Sequence, residues 1–257
     1  MIEYDCHAHV YEHLSAVPGA RYVPKAPAPL DTWTSHLQRH ALRGGVIVQV
    51  SFLGTDNTAL CDALAQVGME RFRGVAVVPI SIGTTEIQRL YDAGIRGCRW
   101  NHVQGGEVPD IQNADVRAFL DRIQDQNMHL ELHLESPRLA THVGPLLATG
   151  VTLVIDHIGL PVAENPDDDP WLQTLTRMQD LSRLYVKLSA PYRTPFDTAQ
   201  HIDVLHTLLE PNHLIWGSDW PHTRHESVTD YSTLASIRNR LGIASDAQAV
   251  RQLYGIE

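Results

Sequence analysis

Apolar residues run along this chain in short continuous blocks, separated by stretches in which they recur at helical spacing. Val46-Ile47-Val48-Gln49-Val50-Ser51 is the clearest block, of the kind a strand buried on both faces requires. Comparable blocks cover residues 2–10, 74–78, 95–100, 128–134, 151–157, 184–189 and 214–219, which makes eight strands. Amphipathic stretches predict helices over 57–67, 85–93, 115–126, 137–148, 199–209, 231–241 and 246–253. An earlier helix is expected from a cap at Asp31, with Trp33, Leu37 and Leu42 on its buried face and Gly44-Gly45 ending it. Strand alternating with helix implies a parallel sheet. The even spacing of the strands favours an α/β fold of the closed (β/α)8 TIM-barrel type, slightly distorted at most and finished by a C-terminal helix, over an open doubly wound sheet. No Gly/Ser-rich linker divides the chain, so residues 1–257 read as one domain.

Two stretches break the alternation. The proline-rich segment from Val17 to Pro29 can be neither helix nor central strand, and reads as a long loop after the first strand, with Tyr22 and Lys25 placed to reach over the barrel mouth. Asp167-Asp168-Asp169 reads as the charged start of a helix rather than as a metal site.

Composition narrows the function. Hydrophobic residues make up 43% of the chain and charged residues 19%, enough apolar surface for a large core and too little charge for disorder. A net charge of −10 offers no basic face to nucleic acid or anionic lipid, so neither is expected as a partner, and an anionic substrate would need specific arginines. With no leader-like start and no run near the ~18 apolar residues of a membrane span, a cytoplasmic location is expected. Cys6, Cys61 and Cys98 are widely spaced and lack a C-x-x-C pair, as reduced structural thiols would be. No G-x-G-x-x-G follows any strand, so nothing supports a dinucleotide site.

Candidate chemistry collects at the strand ends. His7 and His9 alternate on one strand and should share a face. In a chain with 15 histidines an H-x-H can arise by chance, so its company matters: His157 and Asp219 end two later strands. In a barrel the catalytic groups stand at the C-terminal ends of the strands. That rule selects His7, His9, Ser51, Arg99, His133, His157, Ser189 and Asp219. A carboxylate among imidazoles can hold one divalent cation, or can act as a general base beside hydrogen-bond donors. Either arrangement activates water. Arg99 and Arg193, in the loop after the Ser189 strand, have the fork that matches a substrate carboxylate. His102, His222 and His225 are expected to be solvated loop residues.

With those residues in place, the chain resembles the amidohydrolase superfamily, and within it the branch of pyrone-dicarboxylate, muconolactone and sugar-lactone hydrolases. The resemblance runs in order through Asp5-Cys6-His7-Ala8-His9-Val10, Val48-Gln49-Val50-Ser51, Gly54-Thr55-Asp56-Asn57 and Arg73-Gly74-Val75-Ala76-Val77-Val78. It continues through Ala93-Gly94-Ile95-Arg96-Gly97-Cys98-Arg99-Trp100-Asn101, Ile155-Asp156-His157-Ile158-Gly159-Leu160-Pro161 and Trp216-Gly217-Ser218-Asp219-Trp220-Pro221-His222. The resemblance implies a lactonase in which Asp219 delivers water to a lactone carbonyl among His7, His9 and His157. Tyr22, Ser51, Arg99 and Arg193 would grip carboxylates, and His133 stands where the pyrone enzyme has a tyrosine. A second arginine expected shortly after Arg99 is replaced by His102-Val103-Gln104-Gly105-Gly106, and the amide expected after Trp220-Pro221-His222 is Thr223. The implied cofactor is either none or one divalent metal, zinc first, held by His7, His9, His157 and Asp219; a binuclear centre is not expected. The implied partner is a small anionic lactone. A metal-dependent decarboxylase and a lactone isomerase of the same superfamily, or a non-catalytic binding barrel, are the rival readings.

Overall fold

The computed structural model describes residues 1–256, so Glu257 lies outside the described residues. The elements follow in the order β1 (Tyr4–Ala8), α1 (Leu30–Arg39), β2 (Gly44–Val48), α2 (Thr58–Val67), β3 (Phe72–Ala76), α3 (Thr84–Asp92), β4 (Ile95–Asn101), α4 (Ala114–Asp125) and β5 (His129–His133). They continue with α5 (Ser136–Leu147), β6 (Leu153–Ile155), α6 (Pro170–Leu175), β7 (Leu184–Ser189), α7 (Ala199–Leu208), β8 (Leu214–Gly217), α8 (Tyr231–Ile237) and α9 (Ala247–Tyr254). Each strand pairs in parallel with the next, in sequence order from β1 to β8. The sheet closes where the chain leaves β8. Asp219 N–H donates to the His7 carbonyl at 2.8 Å and His9 N–H to the Trp220 carbonyl at 2.7 Å. Gly217 permits this approach, because a Cβ there would stand 2.5 Å from His7 Cβ.

Three local expectations change. The Gly44-Gly45 pair does not end α1 but opens β2, and a Cβ at Gly45 would come within 2.4 Å of the Asp5 carbonyl. Glycine there serves close strand approach, a demand that reads in sequence like a helix stop. Asp31 is not the cap of α1. Pro29 holds that position and Asp31 lies in the first turn, where its charge still suits the helix dipole. The short helix α6 escaped the periodicity altogether because it has only six residues. Its cap is Asp169, the last of the three expected helix-start aspartates, which also accepts a 2.7 Å bond from Ser136 Oγ.

The barrel interior has two levels. At the lower end Tyr4, Cys6, Val46, Val48, Val75, Val154, Tyr185 and Ile215 pack against Ala249, Val250, Leu253 and Tyr254 of α9, which plugs that mouth. Toward the C-terminal ends of the strands the inward positions turn polar: Arg99, Glu131, His133, Asp156, Lys187 and Ser189 are all buried there. Period-two alternation explains the switch, since Glu131 and His133 share a face, as do Tyr185, Lys187 and Ser189. The β1 register slips between Asp5 and Ala8. That irregularity lets Cys6 join the apolar plug while the adjacent His7 also turns inward to the polar level, which is how bulges re-aim side chains beside active sites. Among the described residues no helix is long and apolar enough to cross a membrane.

Candidate active site

The polar level opens into a cleft lined by His9, Tyr22, Ser51, Arg99, His133, His157, Arg193 and Asp219, together with Arg21, Asn101, Thr223 and Arg224. His7 lies just beneath, its ring centroid 5.0 Å from that of His9 and 4.8 Å from that of His157. Asp219 is the centre of the cluster. Its Oδ1 lies 3.6 Å from His7 Nε2, 3.7 Å from His9 Nε2 and 3.8 Å from His157 Nε2, and makes no hydrogen bond. Its Oδ2 is held firmly, by Tyr192 O–H at 2.6 Å and by Arg193 Nε and Nη2 at 2.9 and 2.7 Å. One oxygen is anchored and the other is free.

The backbone is strained at the same place. Asp219 and His157 adopt φ of 57° and 54°, as do His222 and Arg224 at 62° and 71°. For non-glycine residues each such conformation costs on the order of 1 kcal/mol, and it persists only where surrounding structure enforces it.

Partners fix the imidazole tautomers. His9 Nδ1 meets the Val48 carbonyl at 2.8 Å, and because a carbonyl only accepts, that nitrogen donates and Nε2 keeps its lone pair. Lys187 Nζ approaches His7 Nδ1 at 3.1 Å, and Arg99 Nη2 approaches His133 Nδ1 at 3.1 Å. Arginine only donates, so His133 accepts at Nδ1 and carries its proton on Nε2, whereas His7 Nδ1 lies 3.1 Å both from Lys187 Nζ, a donor, and from Asp156 Oδ1, an acceptor. Burial, reinforced by Lys187, lowers the His7 pKa to about 3; burial, reinforced by Arg99, lowers that of His9 to about 4. Burial alone would raise the Asp219 pKa, but Arg193, then His157, His7 and His9, outweigh it and hold the carboxyl well below its ordinary value. The carboxylate is therefore charged and the imidazoles neutral across the physiological range.

Of the expected site residues, His9, Tyr22, Ser51, Arg99, His133, His157, Arg193 and Asp219 line this cleft, while His7 and Ser189 are buried beside it. Arg99 is buried against Asp156, its Nε and Nη2 both 2.9 Å from Oδ2, and against Glu131 Oε1 at 3.4 Å. Arg193 commits two nitrogens to Asp219. Ser51 Oγ accepts from Asn101 Nδ2 at 2.6 Å, and Ser189 Oγ bonds His157 Nδ1 at 2.9 Å. Tyr22 is half-buried over the cleft, whereas its loop neighbour Lys25 is exposed and is not among the cleft-lining residues. His222 is not solvated as expected. It is buried beside the Tyr192 ring, 5.9 Å between centroids, because the loop after β8 folds back over the barrel end. Sequence reasoning missed Tyr192, Glu131, Asp156 and Lys187 as members of this cluster. The signal was available for two of them: Glu131 and Lys187 each stand two residues before a selected strand-end residue and so share its face.

Buried neutral histidines make a prediction about stability. The folded pKa values of His7 and His129 are lowered to about 3, and those of His9 and His222 to about 4, in each case chiefly by burial. In the unfolded chain these rings gain protons below the ordinary value of 6.5, so stability is greatest above that pH and falls as pH drops from 6.5 toward 4. Thermal midpoints measured across that window are expected to decline steadily, and a flat profile would contradict this assignment.

A buried carboxylate, neutral imidazoles and arginines meet in a cleft at the C-terminal face of the barrel, where (β/α)8 enzymes carry their active sites. The amidohydrolase family model matches residues 4–255, and the chain belongs to that family. It is 31% identical over 243 residues to a 2-pyrone-4,6-dicarboxylate hydrolase of Comamonas testosteroni, covering 85% of this chain and 76% of the relative. It is 29% identical to a 4-sulfomuconolactone hydrolase of Rhizobium radiobacter, covering 86% and 76% respectively. Among solved structures it matches a probable 2-pyrone-4,6-dicarboxylic acid hydrolase of Acinetobacter baumannii, crystallised with citric acid, at a TM-score of 0.90 and 30% identity over 100% of both chains.

Proposed function

We propose that this protein hydrolyses the ester bond of a small carboxylated lactone, with Asp219 as the base that activates water. The observation that carries the reading is the divided Asp219 carboxylate, with Oδ2 anchored by Tyr192 and Arg193 and Oδ1 unpartnered among three imidazoles. A water beside Oδ1 would give up a proton there as it attacks the lactone carbonyl. The His133 Nε2–H group, with the nearby arginines, supplies donors for the oxyanion that develops. Arg99 and Arg193, Tyr22 and Ser51 line the cleft where a carboxylate would bind, and the relatives' names, dicarboxylate and sulfonated lactones, accord with such an anionic substrate.

The donor set also fits a single divalent ion. His7, His157 and Asp219 offer ligand atoms within 4.8 Å of one another, and the His9 Nε2 lone pair faces the same point. Such an ion would polarise the carbonyl and acidify water.

Hydrolysis is distinguished from lactone isomerisation and from decarboxylation by its product. Incubation of carboxylated lactones in 18O-labelled water, followed by mass spectrometry, should place the label in a newly formed carboxylate. An unlabelled isomer or released carbon dioxide would overturn the hydrolytic reading.

A further inference from the structure

Beneath Asp219, on the side away from the cleft, lies a second cluster that shares His7 with the site but adds Glu131 and Asp156, which the proposed reaction does not use. Glu131 on β5, Asp156 after β6 and His7 on β1 present ligand-type atoms within 4.8 Å of one another, all three residues at 0% exposure. Three such groups converging in a dry interior make a cation site by their chemistry. The space between them is filled by Lys187 of β7. Its Nζ lies 2.5 Å from Glu131 Oε2, 3.5 Å from Asp156 Oδ1 and 3.1 Å from His7 Nδ1.

We infer that Lys187 is a tethered cation, a positioning residue whose ammonium takes the place of a second metal ion and thereby fixes the tautomer of His7. Glu131, Asp156 and Asp219 are three carboxylates, and Lys187, Arg99 and Arg193 are the three cations paired with them. Without Lys187 two inward carboxylates would share Arg99 alone, and a buried charge lacking its partner is strongly unfavourable. The hydrogen-bond geometry points the same way. His7 Nδ1 lies 3.1 Å from Lys187 Nζ and 3.1 Å from Asp156 Oδ1, so the ammonium competes with the carboxylate for that nitrogen. Under this assignment Lys187 occupies the Nδ1 lone pair, and His7 presents Nε2–H toward Asp219. With the lysine gone, Nδ1 would be free to protonate and face Asp156, or to ligate an ion.

The consequence is a latent metal site that one substitution uncovers, and it stands apart from the identity of the lactone. Lys187→Met keeps the volume of the side chain and removes its charge. Titrated with Mn2+ and followed by the loss of the free-ion electron paramagnetic signal, K187M is expected to take up about one more ion per chain than the wild-type protein, with its thermal midpoint raised by the ion. The double variant Glu131→Gln/Lys187→Met removes one charge of each sign and should take up no extra ion. Equal Mn2+ stoichiometry in K187M and wild type would overturn the inference, as would equal uptake by the double variant and K187M. The wild-type protein supplies an independent test should K187M fail to fold. Long-range 1H–15N correlation, with His7 assigned through His7→Gln, should show Nδ1 unprotonated and Nε2 protonated. The reverse pattern would contradict the role given to Lys187.

Discussion

Replacement of Asp219 by asparagine is expected to lower kcat for lactone hydrolysis by about 10³-fold, within the range that a positioned general base contributes. Asparagine keeps the size and planarity of the side chain but cannot take a proton from water. Its carbonyl oxygen can still accept from Tyr192 or Arg193 at the Oδ2 position, so the loop after β8 keeps part of its anchorage. The loss should fall mainly on kcat rather than KM, since the role is in the proton transfer step. A D219N protein that folds normally yet retains activity within about 10-fold of wild type would remove Asp219 from the role of base. Because the Asp219 pKa is held well below its ordinary value, the wild-type rate should show no loss of base function as pH falls from 8 toward 5, and an acidic limb in kcat/KM centred in that range would argue for a different base.

The largest effect on stability is expected two residues before His7. Asp5 is fully buried and accepts from Trp33 Nε1 of α1 at 2.9 Å, from Ser218 N and Oγ at 2.8 and 2.7 Å, and from Tyr231 O–H of α8 at 3.0 Å. One carboxylate thus ties β1, the exit of β8 and two helices at the seam where the barrel closes. Asp5→Ala would strand several buried donors at once. Each unmade bond costs on the order of 1–3 kcal/mol, and partial relaxation makes a total of about 4 kcal/mol a reasonable expectation. Asp5→Asn, which retains one acceptor oxygen, should cost about half as much. Urea unfolding of both variants measures this, and a loss below about 1 kcal/mol for the alanine variant would show that the seam does not depend on Asp5.

Asp5 also illustrates what the sequence hides. It belongs to the same short motif as His7 and His9, and alternation alone would place all three on one face. The β1 irregularity separates them, sending Asp5 outward to the helices and the histidines inward. A bulge of this kind leaves no mark in a residue pattern. The strand ends, by contrast, were readable: runs buried on both faces are unbroken apolar blocks, and the barrel rule converts their last residues into a site. That reasoning expects His7, His9, His157 and Asp219 together, and the three Nε2 atoms do lie within 3.8 Å of Asp219 Oδ1, but it cannot say that Arg193 turns its fork on Asp219. It also stopped one residue pair too early on β5 and β7. Glu131 and Lys187 read as stray charges inside apolar strands, and only their meeting across the barrel explains why neither is alone. His222 was misplaced for a similar reason, since a loop that folds back over the barrel end has the composition of any exposed loop.

Carboxylated-lactone opening with Asp219 as the base stands or falls on turnover. The most direct measurement is to incubate the purified protein with 2-pyrone-4,6-dicarboxylate and follow the loss of the pyrone ultraviolet absorbance, with D219N in parallel. Steady loss of absorbance is expected with the wild-type protein and almost none with the variant. An unchanged spectrum with both proteins, repeated across carboxylated and sulfonated lactones, would contradict it, and so would equal rates in the two.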